Sequence, residues 1–181
     1  MRLAPLARPI ASRSCGGWSI IPAADEVISR AMAKPISERH SRRAGVPVLV
    51  DTGPLVALFD PSDRDHSACT TALARLGRTR LLTTLAVLTE ATYLLAFSRQ
   101  AQRAVIQFVA SGAVELIELS GDHLARAVAL MEQYEDLPMD FADATLVAIA
   151  ESERTQMVFT LDRRDFSIYR AGRKPFRVLP E

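Results

Sequence analysis

Two cysteines, Cys15 and Cys69, are all that the 181 residues contain, too few for a disulfide framework or a thiolate metal cluster. That economy fits a reducing, cytoplasmic setting. No apolar run approaches the ~18 residues that a membrane span requires, so the sequence reads as a soluble protein with no membrane partner. Three histidines, His40, His66 and His123, are scattered along the chain; His66 reads as a residue that caps or packs its helix rather than a metal ligand. Aromatics make up 6% of the chain, which gives no sign of a base-stacking platform. No glycine-rich phosphate loop is present, because "DTGPL" (51–55) lacks the GxxxxGK[ST] pattern. The same stretch lacks the second Asp, two positions on, of an aspartyl-phosphate phosphatase. No Ser or Cys sits in a nucleophile elbow.

A strong charge of either sign is missing too: 22 basic and 21 acidic residues leave a formal +1. The balance is uneven. Residues 1–45 hold eight Lys/Arg and three Asp/Glu, which leaves 14 basic and 18 acidic groups for residues 46–181. A folded part of net negative charge does not draw phosphate by its overall field. Binding a nucleic acid therefore requires a local basic patch or bound cations. The length suits one domain with an extension. Residues 1–45 show no sustained period of 2 or 3.6 and are rich in Arg, Ser, Pro and Gly. They read as a disordered extension, or as a start codon placed upstream with Met32 as the alternative start. The stretch from Ala23 to Ala33 could make a short helix. Its apolar centre is too short for a signal peptide.

From Val46 the pattern becomes regular. "VPVLV" (46–50) is a β-branched run broken by "TGP", a buried strand and a turn. "PLVALFD" (54–60) reads as a short helix, and residues 63–77 as another with Gly77 as its stop. "RLLTT" (80–84) is a second strand, and residues 84–97 a buried helix capped by Thr84. An amphipathic helix (101–112) leads to a third strand, "AVELIEL" (113–119). Another helix (121–135) precedes the apolar run "PMDFADATLVAIA" (138–150). "QMVFTL" (156–161) is a fourth strand and "FRVLP" (176–180) a fifth, at an edge. Strands alternating with helices predict an α/β fold, an open, mostly parallel five-stranded sheet flanked by helices on both faces. Ligands of such sheets gather at the carboxyl ends of the strands.

Four acids fall where that edge should be. Asp51 ends strand one, Asp162 follows strand four, Glu90 lies in the helix after strand two, and Asp143 opens the helix that feeds strand four. Each has a plainer role available: Asp51 and Asp162 in turns, Glu90 as an exposed helix acid, Asp143 beside Asp140 in a helix cap. Together in a partly buried pocket they repel one another and require a cation. Ligation by oxygen alone suits Mg²⁺ or Mn²⁺, which can activate water against a phosphodiester.

The stretches "VLVDTGPLVALFD" (48–60), "TTLAVLTEATYLL" (83–95), "DLPMDFADATLVAIAE" (136–151) and "VFTLDRRDF" (158–166) resemble, in order, the signatures of PIN domains. They are most similar to VapC-type toxin ribonucleases, over about residues 46–181. The resemblance implies a PIN fold, Mg²⁺- or Mn²⁺-dependent endoribonuclease activity on RNA, and frequent homodimers. It also implies a cognate antitoxin protein that blocks the site. Asp51, Glu90, Asp143 and Asp162 match the family's four acids, with Asp140 an additional acid that could serve as a minor ligand. Thr160 matches the family's recurring Ser/Thr, and Thr52 holds the first turn or contacts the pocket. Asp165 reads as a helix cap that could exchange roles with Asp162.

Arg163 and Arg164, flanking Asp162, are the candidates for RNA phosphate contacts, with Arg99 and Arg64 behind them. The leading expectation is a metal-dependent endoribonuclease that acts as a toxin. The alternatives are a PIN-like module that binds RNA or protein without cutting, and a housekeeping PIN nuclease that matures ribosomal or transfer RNA.

Overall fold

The structure is a computed structural model that describes residues 22–32, 45–137 and 139–180. The stretches 1–21 and 33–44 of the predicted extension, with Cys15 and His40, lie outside the described residues. Within that extension, helix α1 spans Pro22–Met32. It sets Val27, Ile28, Ala31 and Met32 against the core of the domain, beside helix α3 (His66–Leu76).

Five short strands make one parallel sheet: β1 (Val48–Val50), β2 (Leu81–Thr84), β3 (Glu115–Ile117), β4 (Met157–Phe159) and β7 (Arg177–Leu179). Their spatial order is β3-β2-β1-β4-β7, which puts the first strand in the centre and β7 at an edge. β1 is buried on both faces, as its run of Val and Leu requires in a covered parallel sheet. Helix α2 (Thr52–Phe59) leaves β1, α4 (Leu85–Leu94) leaves β2, and α5 (Arg99–Ala110) leads into β3. Helix α6 (Gly121–Gln133) then packs along α7 (Phe141–Ser152), which feeds β4.

The topology fixes where a site belongs. From β1 the chain moves outward through β2 to β3, then crosses back to β4 on the other side of β1. The connections diverge between β1 and β4, and that reversal opens a crevice at the carboxyl ends of these two strands. Helix α7 aims its first turn at that edge. Behind that turn it is buried from Ala144 through Ala150, which suits a helix apolar all round.

Two expectations are corrected. Residues 84–97 do not form one buried helix: α4 ends at Leu94 in a 3₁₀ turn (Leu95–Phe97), and Leu85, Tyr93, Leu94 and Phe97 are exposed. Its apolar residues go all round, but within the helix Val87 and Ala91 alone are fully buried, with Ala86 and Leu88 partly covered by the core. Helix α8 (Arg163–Ile168) is capped by Asp162, not by Asp165, whose own N–H donates to the Asp162 carboxylate at 2.9 Å. An antiparallel pair, β5 (Arg170–Ala171) and β6 (Lys174–Pro175), also joins α8 to β7. Its turn uses Gly172 at φ +63°, in the left-handed region that glycine enters without a Cβ clash. His66 packs as expected, buried, with Nδ1 2.7 Å from the Ala57 carbonyl.

Candidate active site

Three helices begin at the crevice, and each uses an acid as its N-cap. Asp51 caps α2, Asp140 caps α7 and Asp162 caps α8. Carboxylates suit these positions because the first amides of a helix are unpaired and its N-terminal end is positive. Asp51 is 7% exposed. One of its oxygens accepts the Thr52 N–H at 2.6 Å, and the other accepts the Thr160 hydroxyl at 2.6 Å. The same Thr160 oxygen accepts the Asp162 N–H at 2.9 Å, so one buried threonine joins the ends of β1 and β4.

The other acids are held from the flanks. Thr52 donates its hydroxyl to Glu90 Oε2 at 2.8 Å, linking the start of α2 to the middle of α4. The Asp143 N–H donates to Asp140 Oδ1 at 2.8 Å, and the Tyr169 hydroxyl lies 3.4 Å from Asp143 Oδ2. Tyr169 is fully buried against Tyr134 and Phe166 in edge-to-face contacts. No motif in the sequence points to Tyr169; only the return of the chain through α8 brings it to Asp143.

These carboxylates form one electrostatic cluster. Burial, with smaller pushes from Glu90 and Asp140, raises Asp51 to about 6 against the pull of its hydrogen bonds to Thr160 and Thr52. Burial pushes Asp143 up to about 8, aided by the charges of Asp51, Asp140 and Asp162. Glu90, Asp140 and Asp162 thus act on the two buried acids Asp51 and Asp143. Among the described residues none of the five forms an ion pair with Lys or Arg.

That donor set fits a hard divalent cation: oxygen only, negatively charged, without imidazole or thiolate. It is not a closed cage, since among the described residues no three such side chains stand arranged as ready-made ligands. An open, acidic pocket of this kind suits Mg²⁺ or Mn²⁺, because Mg²⁺ keeps several waters and takes few protein ligands.

The arginines divide. Arg163 and Arg164 open α8 beside Asp162 and are exposed. Arg163 donates to the Pro180 carbonyl, and Arg164 lies 4.0 Å from Asp165. Arg99 opens α5 beyond the helix that carries Glu90, and Arg64 pairs with Asp65 at 3.1 Å. Neither forms an ion pair with the acids of the cluster. A hollow of about 660 Å³ beside Glu90 and Asp140 is lined by Tyr93 and Phe141.

Comparison with known proteins bears on the family and the fold. The sequence profile of the PIN domain matches residues 48–173. The chain is 33% identical to the ribonuclease VapC26 of Mycobacterium tuberculosis over 136 residues, 74% of this chain and 100% of that protein. The fold is similar to the crystal structure of VapC20 from Mycobacterium tuberculosis, described as a sarcin–ricin loop cleaving toxin. That match has TM-score 0.57 at 23% identity, covering 65% of this chain and 91% of that one. It is also similar to a chain of a toxin–antitoxin complex from Klebsiella pneumoniae, with TM-score 0.52 at 26% identity, covering 68% and 93% of the two chains.

Proposed function

This chain belongs to the PIN domain family, and we propose that it is a metal-dependent endoribonuclease that serves as the toxin of a toxin–antitoxin pair. The observation that carries the reading is the cluster of acids at the β1/β4 crevice, none of which forms an ion pair with Lys or Arg among the described residues. Asp51, Glu90, Asp143 and Asp162 are the residues that would hold the cation, Mg²⁺ or Mn²⁺, with Asp140 beside them. When bound, the cation supplies Lewis acidity, which eases deprotonation of water and offsets charge on the phosphodiester. Thr160 keeps the Asp51 carboxylate turned into the pocket, and Thr52 does the same for Glu90. The reaction is a hydrolysis: a bond forms from a water oxygen to phosphorus, and the bond to the departing ribose oxygen breaks. Arg163 and Arg164 contact the phosphates of the RNA that runs past Asp162.

The partners follow from the same reading. The Klebsiella pneumoniae neighbour supports an antitoxin protein as the inhibitor. A homodimer has apolar surface to use in Leu94 and Phe97 at the end of α4, and light scattering tests it. The place of action is the cytoplasm, where RNA is abundant; no helix among the described residues is long and apolar enough to cross a membrane.

Cleavage of RNA in Mn²⁺ or Mg²⁺ by the wild type and by Asp51→Asn tests the proposal. Loss of a group that merely orients a metal ligand already costs ~10- to 100-fold, so Asp51→Asn is expected to lose at least that much. Equal cleavage by the two proteins removes Asp51 from the machinery.

A further inference from the structure

The hollow next to the acids is built unlike the rest of the site. Leu85, Ala86, Thr89, Glu90 and Tyr93 of α4 form one wall, and Asp140, Phe141 and Ala142 at the start of α7 form the other. Its volume of about 660 Å³ lies within the ~300–1,000 Å³ of small-molecule sites. On α4, Glu90 and Tyr93 are three residues apart, hence neighbours on one helix face. On α7, Phe141 sits between the cap Asp140 and the acid Asp143. Each wall therefore places an aromatic beside an acid of the cluster. Both aromatics stand in water, Tyr93 at 74% and Phe141 at 46% exposure.

From this juxtaposition we propose that Tyr93 and Phe141 form a stacking subsite for the base of an RNA nucleotide next to the cleaved bond. The inference rests on the ribonuclease reading of the same pocket. A strand whose phosphodiester lies at the acids continues on both sides of it, and its neighbouring bases leave water only where a flat apolar surface is offered. Aromatic rings accept the face of any base without regard to sequence. The hollow opens directly beside Glu90 and Asp140, within one nucleotide's reach of the acids, and that continuity favours an RNA base as its occupant. An RNA backbone with its cation neutralises the same carboxylates.

The test uses the full chain and an RNA oligonucleotide that the wild type cleaves, with and without an abasic ribose on either side of the cleaved bond. Stacking on one aromatic is worth ~1–3 kcal/mol by alanine substitution, which converts to roughly 5- to 150-fold. Tyr93→Ala and Phe141→Ala are expected to raise KM by a factor in that range with kcat little changed. Tyr93→Phe restores most of the affinity, since the ring is kept. The wild type discriminates against the abasic RNA and the alanine variants do not, the non-additivity of a direct contact. Ile106→Ala, an exposed apolar residue on α5, is the control for removing surface hydrophobicity elsewhere.

Three results overturn the subsite: unchanged KM in both alanine variants, equal weakening toward intact and abasic RNA, or a change of mass in light scattering. The last assigns the hollow to a protein interface. A wild type that cleaves no RNA instead overturns the underlying ribonuclease reading, and the subsite with it.

Discussion

At Thr160 a single hydroxyl does two jobs, donating to Asp51 and accepting from the Asp162 backbone. Thr160→Val keeps the shape of the side chain and removes both bonds. We expect ~10- to 100-fold lower activity or metal affinity, with a stability loss of about 1–3 kcal/mol for the buried polar groups left unpaired. Calorimetric Mn²⁺ titration and urea unfolding read the two effects separately. Asp51 and Asp143 make a second prediction, for the protein in chelator. Their folded values, about 6 and about 8, lie above the ordinary carboxylate value of 3.8. The folded state thus holds protons that the unfolded chain has released. Their stabilisation is complete below about pH 4 and is lost as pH climbs toward 8. The melting temperature should fall across that window, and Asp143→Asn should flatten the part between 6 and 8. A wild-type curve flat over that interval contradicts the clustering. At this scale the places of Asp51, Asp143 and Asp162 were legible, because each stands at a strand end or helix start, whereas Glu90, in the middle of α4, was marked only by the apolar stretch around it. Tyr169 was not legible, since its approach to Asp143 depends on the path of α8 and on packing against Tyr134.

Among the elements, the helix starts position the site. Asp140 illustrates how a cap and a charge can be separated experimentally. Asp140→Ala removes the acceptor for the Asp143 N–H and should cost about 1 kcal/mol. Asp140→Asn retains an acceptor and removes a charge that presses on Asp143, so it should unfold no earlier than the wild type in chelator. If Asn destabilises as much as Ala, charge rather than capping holds this helix start. The strand runs were visible in sequence from their Val and Leu content, and so was the order of helices. The two-residue strands β5 and β6 were too short to carry a period. Helix α4 misled for another reason: apolar composition on every side predicts burial, yet Leu85 and Tyr93 stand open around the hollow. Asp162 and Asp165 were hard to rank as caps because both lie at the start of one short helix, and only the hydrogen bond decides.

At the scale of the whole molecule, the two edges of the sheet divide the work. The acids occupy the carboxyl edge, where the strand order reverses around β1. Helix α1 lies by the opposite edge, its Val27, Arg30 and Ala31 lining a cleft with Leu81 at the start of β2 and Ala113 ahead of β3. A chain that begins at Gly45 should therefore melt earlier, because it uncovers apolar surface of α3 and the core. Its rate of RNA cleavage per folded molecule should be unchanged. Reduced cleavage without loss of fold would connect the extension to the site. The order of the strands was not in the sequence reading, which had alternation but no pairing; the reversal between β1 and β4 is what brings acids distant in sequence to one edge of the sheet. That convergence is the central claim, and calorimetric titration of Mn²⁺ into the wild type and Asp143→Asn at pH 8 tests it most directly. The account predicts binding to the wild type that weakens as pH falls toward 6, when protons compete for the same carboxylates. It predicts at least ~10- to 100-fold weaker binding to Asp143→Asn. Equal binding by the two proteins, or no binding to the wild type at millimolar Mn²⁺, would contradict it.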